Sequence, residues 1–303
     1  MKPWGQDFRF LAIVASVAAM PVWAESAWAQ AATPIPDFSG IWAHLTWPDA
    51  EPPPSGAGPV TNRSRRNGAG DIYALVGDHT NPILKPQAAE AVRKQGELEL
   101  AGGPSPTPSN QCWPGGVPFV LYNIGMQMLQ RPDRITFLYS NDHEIRHVRL
   151  NRPHATPVTP SWYGDSVGHY EGDTLVIDTV GVKVGPFAMV DMYGTPHSAA
   201  LHVVERYRLL DYEVAKAAQE RGQRALTRFG RDPGLLPDPG YKGKGLQLEF
   251  TVEDEGVFTR PWSAGISYRR PRGDWPEMVC AENPDGYFRG RHVAVPAAAT
   301  PDF

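Results

Sequence analysis

Residues 166–180 carry the sequence SVGHYEGDTLVIDTV, and this stretch decides the fold. Two runs of strand-forming character, 166–171 and 174–180, flank the pair Gly172-Asp173, which is typical of a tight turn. The stretch therefore predicts a β-hairpin. The sequence on both sides continues with a two-residue period or with further runs of strand composition. Strands are predicted over 119–128, 135–139, 144–150, 201–209, 246–253 and 265–270.

Sequential strands joined by short turns favour one antiparallel sheet, closed as a barrel or folded as a sandwich. We predict a mainly β fold, lipocalin-like in architecture, with an irregular N-terminal wrap and one helical insert. The two-residue period is the same in a barrel and in a sandwich, so both remain open. Helical composition predicts one helix over 85–100 and another over 212–228, the second followed by a Gly/Pro-rich segment that ends at 245.

The first thirty residues have the pattern of a removable export signal. A positive start is followed by a largely apolar run over 10–20 and by two small-residue cleavage options, after Ala29 or after Ala31. The apolar run is too short to span a bilayer, and no other stretch reaches the roughly 18 apolar residues of a membrane helix. We predict a periplasmic or secreted protein without a membrane span. Its predicted segments are a signal peptide (1–29), a wrap with one helix (30–111), a β core (112–295) with an insert (212–245), and a tail (296–303).

Charge and cysteine content limit the possible partners and the compartment. The chain has 29 basic and 33 acidic residues, a formal net charge of −4. No basic face is implied, so nucleic acid is not expected as a partner. The two cysteines, Cys112 and Cys280, form an even pair, and in an oxidising compartment such a pair usually closes. We predict a disulfide between them, with two separate buried thiols as the alternative.

The string from His143 to His147, HEIRH, matches the zinc-peptidase motif H-E-x-x-H. In those enzymes the two histidines lie one helical turn apart. Here the motif falls on a predicted strand, where the two histidines would lie about 13 Å apart at roughly 3.3 Å per residue. We therefore predict neither a metal nor another cofactor here. Ser166 similarly lies in a G-x-S-x-G string, but a strand follows it instead of the helix that a serine-hydrolase elbow requires.

A carboxylate on an apolar strand face is the strongest hint of chemistry. Glu205 shares its predicted face with Leu201, Val203, Tyr207 and Leu209, so it must be paired or its pKa must rise. A glutamate of raised pKa beside histidines is an acid/base set. A structural ion pair with Arg146 is the alternative. The candidate catalytic residues are His143, Arg146, His154, Asp165, His197 and Glu205.

Aromatic residues near these positions suggest a binding pocket. Trp162, Tyr163, Trp262 and Tyr207 could hold an aromatic or cyclic ligand, although for any single aromatic side chain a plain core position is more frequent.

Four strings occur in order along the chain and carry a family resemblance. They are Arg152-Pro153-His154, SWYGDSVG (161–168), EGDTLVIDT (171–179) and Pro196-His197-Ser198 followed by Glu205-Arg206. Together they resemble a large family of exported bacterial proteins, over roughly 112–268 and 280–283. The resemblance implies export but no particular reaction. The insert over 212–245 departs from the family pattern, and either a lid or a neutral surface excursion fits it.

Three functions follow as hypotheses. The first is an exported enzyme of lyase, dehydratase or isomerase type, which carries out metal-free acid/base chemistry on a small, partly apolar cyclic or aromatic molecule in a barrel cavity. A histidine would take the proton, Glu205 or Asp165 would orient it or return a proton, and Arg146 would stabilise an oxyanion. The second is a small-molecule-binding protein without catalysis. The third is a metal-dependent hydrolase with His143, His154 and His197 as ligands. Convergence of the histidines and Glu205 in one pocket would favour the first, and scatter would favour the second.

Overall fold

The computed structural model describes residue 1 and residues 35–44, 49–67, 74–102, 105–123, 125–140, 144–224, 237–273 and 280. All of these except residue 1 belong to one compact unit, Pro34–Phe303. Within the described residues, nine strands form a single sheet, and two α-helices, α1 (Pro86–Leu100) and α2 (Tyr212–Arg224), accompany it. The strands are β1 (Gly40–Ala43), β2 (Gly125–Arg131), β3 (Arg134–Tyr139), β4 (Ile145–Leu150), β5 (Asp165–Glu171), β6 (Thr174–Val180), β7 (His202–Leu210), β8 (Gly245–Glu253) and β9 (Trp262–Tyr268).

The sheet is nearly closed into a barrel, because each strand pairs with the next in the chain and the last returns to the first. Ala43, at the end of β1, exchanges two backbone hydrogen bonds with Arg269, one residue beyond β9, at 2.8 and 2.9 Å. The predicted mainly β fold is confirmed, and of the two open architectures the barrel is the one observed. The hairpin predicted from residues 166–180 is β5 and β6, joined at Gly172-Asp173.

One strand pair departs from the predicted antiparallel order. β4 and β5 run parallel, with Val148 opposite Ser166 and Leu150 opposite Gly168. A parallel pair needs a connection of a dozen or more residues to bring the chain back to its starting end. Residues 151–164, the crossover loop, provide it without a helix. The expectation of a purely antiparallel sheet is therefore wrong at this one step.

The barrel interior is filled with side chains. Alternate residues of the strands point inward and are buried, as with Ile135, Phe137 and Tyr139 on β3. The predicted strand over 119–128 begins only at Gly125, because Phe119–Tyr122 form a short 3-10 helix whose four side chains are all buried. This helix packs on the inward-facing aromatics: the ring of Tyr122 meets Phe250 edge to face at 6.1 Å. The inward-facing side chains of the described strands therefore belong to the hydrophobic core.

The remaining elements agree closely with the predictions. β1 was not predicted, since it lies in the segment assigned to the wrap, whereas α1 starts one residue after the predicted helix start. α2 follows the predicted insert helix as far as Arg224, beyond which residues 225–236 lie outside the described part. The disulfide is confirmed: Cys112 and Cys280 are bonded, with their Cα atoms 5.5 Å apart. The predicted signal peptide, apart from residue 1, and the tail lie outside the described residues.

The sequence predicted no membrane-spanning helix. Among the helices in the described ranges, none is both long enough and apolar enough to cross a bilayer.

Candidate functional site

Arg146 and Glu205 form an ion pair inside the barrel. The Nη2 and Nη1 atoms of Arg146 donate to Oε1 and Oε2 of Glu205 at 2.6 and 3.0 Å, and both side chains are 0% exposed. Such a two-pronged contact between a guanidinium and a carboxylate is among the stronger hydrogen-bonded arrangements in proteins. Arg146 lies on β4 and Glu205 on β7, so the arginine side chain reaches across the inner faces of β5 and β6.

Hydroxyl groups from the intervening strands complete this arrangement. Arg146 donates from Nε to the Ser166 hydroxyl at 3.0 Å and from Nη2 to the Thr179 hydroxyl at 2.7 Å. The Tyr207 hydroxyl donates to Oε2 of Glu205 at 2.8 Å. We call these five residues the inner network. Each strand from β4 to β7 contributes to it, so the network joins four consecutive strands from the inside.

The inner network contains one positive and one negative charge, which compensate each other. Burial alone would lower the pKa of Arg146, but the charge of Glu205 and the nearby Tyr139 raise it above its ordinary value, so the guanidinium stays charged. The ring centroid of Phe137 lies 5.6 Å from the guanidinium carbon. Arg146 and Glu205 each have the other as their ionic partner, and neither side chain is exposed to solvent. This geometry is that of the structural ion pair, and the catalytic roles of Arg146 and Glu205 remain predictions.

A second set of charged side chains lies on the outside of the same strands. His154, in the crossover loop, places Nδ1 3.2 Å from Oδ2 of Asp165 and Nε2 2.9 Å from Oδ1 of Asp178. The other oxygen of Asp178 lies 3.1 Å from Nε2 of His202. Arg149 pairs with Asp165 at 2.5 Å at one end, and Glu253 lies 3.5 Å from Nδ1 of His202 at the other. We call this row of six residues the outer chain. Its order is Arg149, Asp165, His154, Asp178, His202 and Glu253.

His154 contacts a carboxylate through each of its ring nitrogens. Ionised carboxylate oxygens accept hydrogen bonds, so Asp165 and Asp178 together hold the imidazole ring in place. The outer chain is open to water, since the side chains of His154, His202 and Asp178 are 28%, 32% and 39% exposed.

Asp165 anchors the crossover loop to the sheet. Burial favours its neutral form, but the Ala155 N–H at 2.8 Å, together with Arg149 and His154, holds the pKa of Asp165 below its ordinary value. Asp165 and His154 are the two predicted catalytic residues that contact each other as an acid and a histidine. The structure therefore brings one histidine and one carboxylate of the predicted set into contact.

His197 belongs to neither the inner network nor the outer chain. It is mostly buried in the loop between β6 and β7, where its Nδ1 lies 3.1 Å from the Ser198 carbonyl oxygen. Burial lowers the pKa of His197, against the opposing effects of that carbonyl and of Asp254. Asp254 is occupied by Ser198, whose N–H and hydroxyl donate to its two oxygens at 2.6 and 2.7 Å. Within the described part of the chain, His197 forms a hydrogen bond with neither Glu205 nor His154.

The four predicted ligand-binding aromatics divide into two groups. Tyr207 and Trp262 are 0% and 1% exposed and belong to the core. Tyr163 stacks on Tyr139 with ring centroids 6.4 Å apart, and burial together with Glu144 raises its pKa. Trp162 is half-buried and belongs to an aromatic group near the disulfide.

That group is the aromatic patch, made of Trp113, Trp162 and Phe187. The Trp113 ring meets Trp162 at 5.3 Å and Phe187 at 6.1 Å, and it remains 37% exposed. Nζ of Lys183 lies 4.8 Å from the Trp162 ring centroid, within reach of a cation–π contact. Because Trp113 directly follows Cys112, the disulfide holds one end of the patch.

Residues 145–147 of the H-E-x-x-H string have the extended conformation expected for them. Ile145–Leu150 is strand β4, and His147 points outward, with its Nδ1 3.0 Å from the Thr136 hydroxyl. His143 lies outside the described residues. No group of three or more His, Cys, Asp or Glu side chains that could hold a metal ion occurs in the described part of the chain.

The predicted catalytic set leaves out four members of the outer chain: Arg149, Asp178, His202 and Glu253. The alternation of side chains along the strands already indicated that Asp178 and His202 point outward. Asp178 precedes Thr179, so it must point outward where Thr179 points inward, and β7 pairs Asp178 with Val204, two residues from His202. By the convergence criterion, the predicted set is split by the barrel wall: Glu205 faces inward, whereas His154 and Asp165 face outward.

Comparison of the chain with protein-family models, with curated proteins and with solved structures gives no match.

Proposed function

We propose that this chain is an exported enzyme that carries out acid/base chemistry, of lyase, dehydratase or isomerase type, at the outer chain. One observation carries the proposal: His154 and His202 both face the same carboxylate, Asp178, from opposite sides, at 2.9 and 3.1 Å. Both imidazoles are accessible to a dissolved small molecule. In this proposal Arg146 and Glu205 hold the strands together and transfer no proton.

The arrangement suits reactions that move a proton from one position to another. A substrate that displaces Asp178 from its contacts with His154 and His202 would meet two imidazole Nε2 atoms. One imidazole accepts a proton while the other, in its protonated form, donates one, as elimination, hydration and isomerisation require. Asp165 orients His154 through Nδ1, which is the task of the carboxylate in many histidine-dependent sites. The substrate class remains that expected from the sequence: a small, partly apolar cyclic or aromatic molecule.

A proton-abstraction probe tests the proposal without knowledge of the natural substrate. A base removes the ring C–H proton of 5-nitrobenzisoxazole, the N–O bond breaks, and coloured 2-cyano-4-nitrophenolate is released. We expect the protein to accelerate this reaction beyond an equal concentration of free imidazole. Removal of His154 or His202 by His154→Ala or His202→Ala should lower that rate by about tenfold or more, since a positioned general base contributes roughly 10²- to 10⁴-fold.

His169→Ala is the matched control. His169 lies on β5 like Asp165 and pairs with Glu171 at 3.1 Å, but it contacts no second histidine among the described residues. Its replacement should leave the rate unchanged. Equal rates in all four proteins, or a wild-type rate no higher than that of free imidazole, would refute acid/base catalysis at the outer chain. A rate that survives incubation with EDTA is also expected, since the proposed steps use only side-chain protons.

A small-molecule-binding protein without catalysis is the second candidate, and both the separation of Glu205 from His154 and the aromatic patch favour it. The exposed Trp113 ring and Lys183 together suit an aromatic anion. Benzoate is a suitable probe: it should change the tryptophan fluorescence of the wild-type protein and change it less in Trp113→Ala. Binding of benzoate without any acceleration of the proton-abstraction reaction would select this candidate over the enzyme.

We also infer export to the periplasm or the medium. The Cys112–Cys280 disulfide supports it, because such bonds persist in oxidising compartments. The mass of the protein recovered from the periplasm or medium of an expressing bacterium should correspond to a chain that begins at residue 30 or 32. Recovery of the full-length chain from the cytoplasm alone would contradict export.

A further inference from the structure

The wrap and the loop between β8 and β9 form a pocket that the proposed function does not use. Its volume is about 450 Å³, which falls in the range of small-molecule sites, roughly 300–1,000 Å³. We call it the wrap pocket. Its lining residues come from 56–58 and 78–83 of the wrap, together with Arg260 of the loop. None of these lining residues belongs to the inner network, the outer chain or the aromatic patch.

Backbone hydrogen bonds fix the walls of the wrap pocket relative to each other. The Thr259 N–H donates to the Ile83 carbonyl oxygen at 2.8 Å. The Ser263 N–H donates to the Ala57 carbonyl oxygen at 3.0 Å. These two bonds lie on either side of Arg260 in the chain, and each ties this part of the chain to one of the two wrap segments. The pocket is therefore present in the folded chain before any ligand binds, which lowers the entropic cost of binding.

The wrap pocket has two side chains of opposite charge in its lining, Arg260 and Asp78. Oδ1 of Asp78 accepts the N–H and the hydroxyl of Thr80 at 3.0 and 2.9 Å, so the carboxylate is held in place. A carboxylate has about four acceptor positions, so it can accept further hydrogen bonds. Arg260 is exposed, and within the described part of the chain no carboxylate forms an ion pair with it. The two opposite charges thus line one pocket without being joined to each other.

The two charges indicate which ligand the wrap pocket would recognise. A guanidinium group binds a carboxylate through two parallel hydrogen bonds, and a carboxylate accepts hydrogen bonds from an ammonium group. A simple anion would be attracted by Arg260 and repelled by Asp78, and a simple cation would be affected in the opposite way. A molecule that carries both an ammonium and a carboxylate group meets an opposite charge at each end. Ala57 and Pro82 offer apolar surface to a short hydrocarbon chain.

We propose that the wrap pocket binds a small amino acid, whose carboxylate pairs with Arg260 and whose amino group pairs with Asp78. The site is separate from the outer chain, so the proposal does not depend on acid/base catalysis there. The volume of the pocket accommodates an amino acid with its charged groups on neighbouring or on more distant carbon atoms. The isomers 2-, 3- and 4-aminobutanoate differ in this spacing, and the experiment distinguishes them.

An NMR titration of the full chain tests the proposal. The three isomers are added separately at neutral pH, and butanoate and butylamine serve as compounds of the same chain length that carry one charge only. We expect at least one isomer to shift the backbone amide signals of Gly56, Gly58 and Asn81. That isomer should bind about tenfold or more tightly than either singly charged compound, since a hydrogen bond to a charged group contributes roughly that factor. Equal affinity for all five compounds, or shifts confined to residues outside the pocket, would overturn the proposal.

Two substitutions assign the two contacts. Arg260→Gln should weaken the binding of the preferred isomer by about tenfold. Asp78→Asn keeps an oxygen for Thr80 and removes the charge, so it should abolish the preference for the amino acid over butanoate. Arg208→Gln is the control, at an exposed arginine of β7 that pairs with Glu249 at 3.1 Å, and it should leave binding unchanged. Unchanged affinity in Arg260→Gln would overturn the proposal, and so would a preference for the amino acid that survives in Asp78→Asn.

Discussion

The inner network and the outer chain share strands β4 to β7 but lie on opposite faces of the sheet. Asp165 and Ser166 are neighbours on β5, and Asp178 and Thr179 are neighbours on β6, yet in each pair one side chain points into the barrel and the other out of it. The inner members hold a permanent arginine–glutamate pair with 0% exposure, whereas the outer members are titratable groups in contact with water. Polar residues that are adjacent in sequence can therefore belong to unrelated environments on the two sides of a barrel wall.

This difference predicts that removal of one inner charge has the largest effect. Glu205→Ala leaves Arg146 buried and unpaired, so we expect it to lower the free energy of unfolding by about 3–5 kcal/mol. Urea unfolding at neutral pH measures the loss. The double variant Arg146→Met/Glu205→Leu removes both charges and should lose much less than Glu205→Ala. If Glu205→Ala unfolds at the wild-type urea concentration, then the inner network is not what joins β4 to β7.

A buried histidine offers the next comparison, because its environment is the opposite of that of His154. His44 lies at the barrel seam, next to Ala43, with its Nε2 2.6 Å from the Asn123 carbonyl oxygen. Burial lowers the pKa of His44 from 6.5 to about 4, against the smaller opposing effect of that carbonyl. The folded state thus binds the proton less tightly than the unfolded chain, so stability is present above pH 6.5 and is lost as the pH falls toward 4.

The expected loss through His44 is about 3 kcal/mol across that range at most, from 1.36 kcal/mol per pKa unit. Urea unfolding between pH 7 and pH 4.5 measures it, and His44→Gln should lessen the pH dependence. In an NMR titration the His44 ring should stay neutral at pH 6. A His44 ring that titrates near 6.5 would contradict the account of the seam.

Asp165→Asn is expected to have a smaller effect, on the order of 1 kcal/mol, because the outer chain is partly solvated. The depressed pKa of Asp165 means that its ionised form stabilises the folded state above the ordinary aspartate range, near pH 4, and that this stability is lost as the pH falls through its folded pKa. The wild-type protein should therefore lose more stability than Asp165→Asn between pH 5 and pH 3. Parallel pH curves for the two proteins would show that Asp165 does not anchor the crossover loop.

The comparison also explains how much of the fold and of the candidate site the sequence could predict. The period of two and the turn at Gly172-Asp173 are local properties, so the hairpin β5–β6 and the burial of Glu205 followed from them. The parallel step from β4 to β5 depends on where a Pro-rich loop lies in space, which no local pattern determines. The candidate site was predicted as one group because alternation identifies faces but does not show which residues of different strands meet. His154 and Asp165 both belonged to the predicted catalytic set but were not predicted to contact each other, and the contact of Asp178 with His202 required the register of β6 and β7.

The smallest expected effect comes from the residue beside Glu205. Arg206 lies on the outer face of β7 and pairs with Glu171 at 2.6 Å, about as close as Arg146 is to Glu205, but both of its side chains are nearly half exposed. Water screens this pair and solvates either partner alone, so Arg206→Ala should change the free energy of unfolding by less than about 1 kcal/mol. The same urea measurement on Glu205→Ala and Arg206→Ala then separates burial from distance as the cause. If Arg206→Ala is as destabilising as Glu205→Ala, the position on β7 is what matters, and the contrast between the two faces of the barrel does not hold.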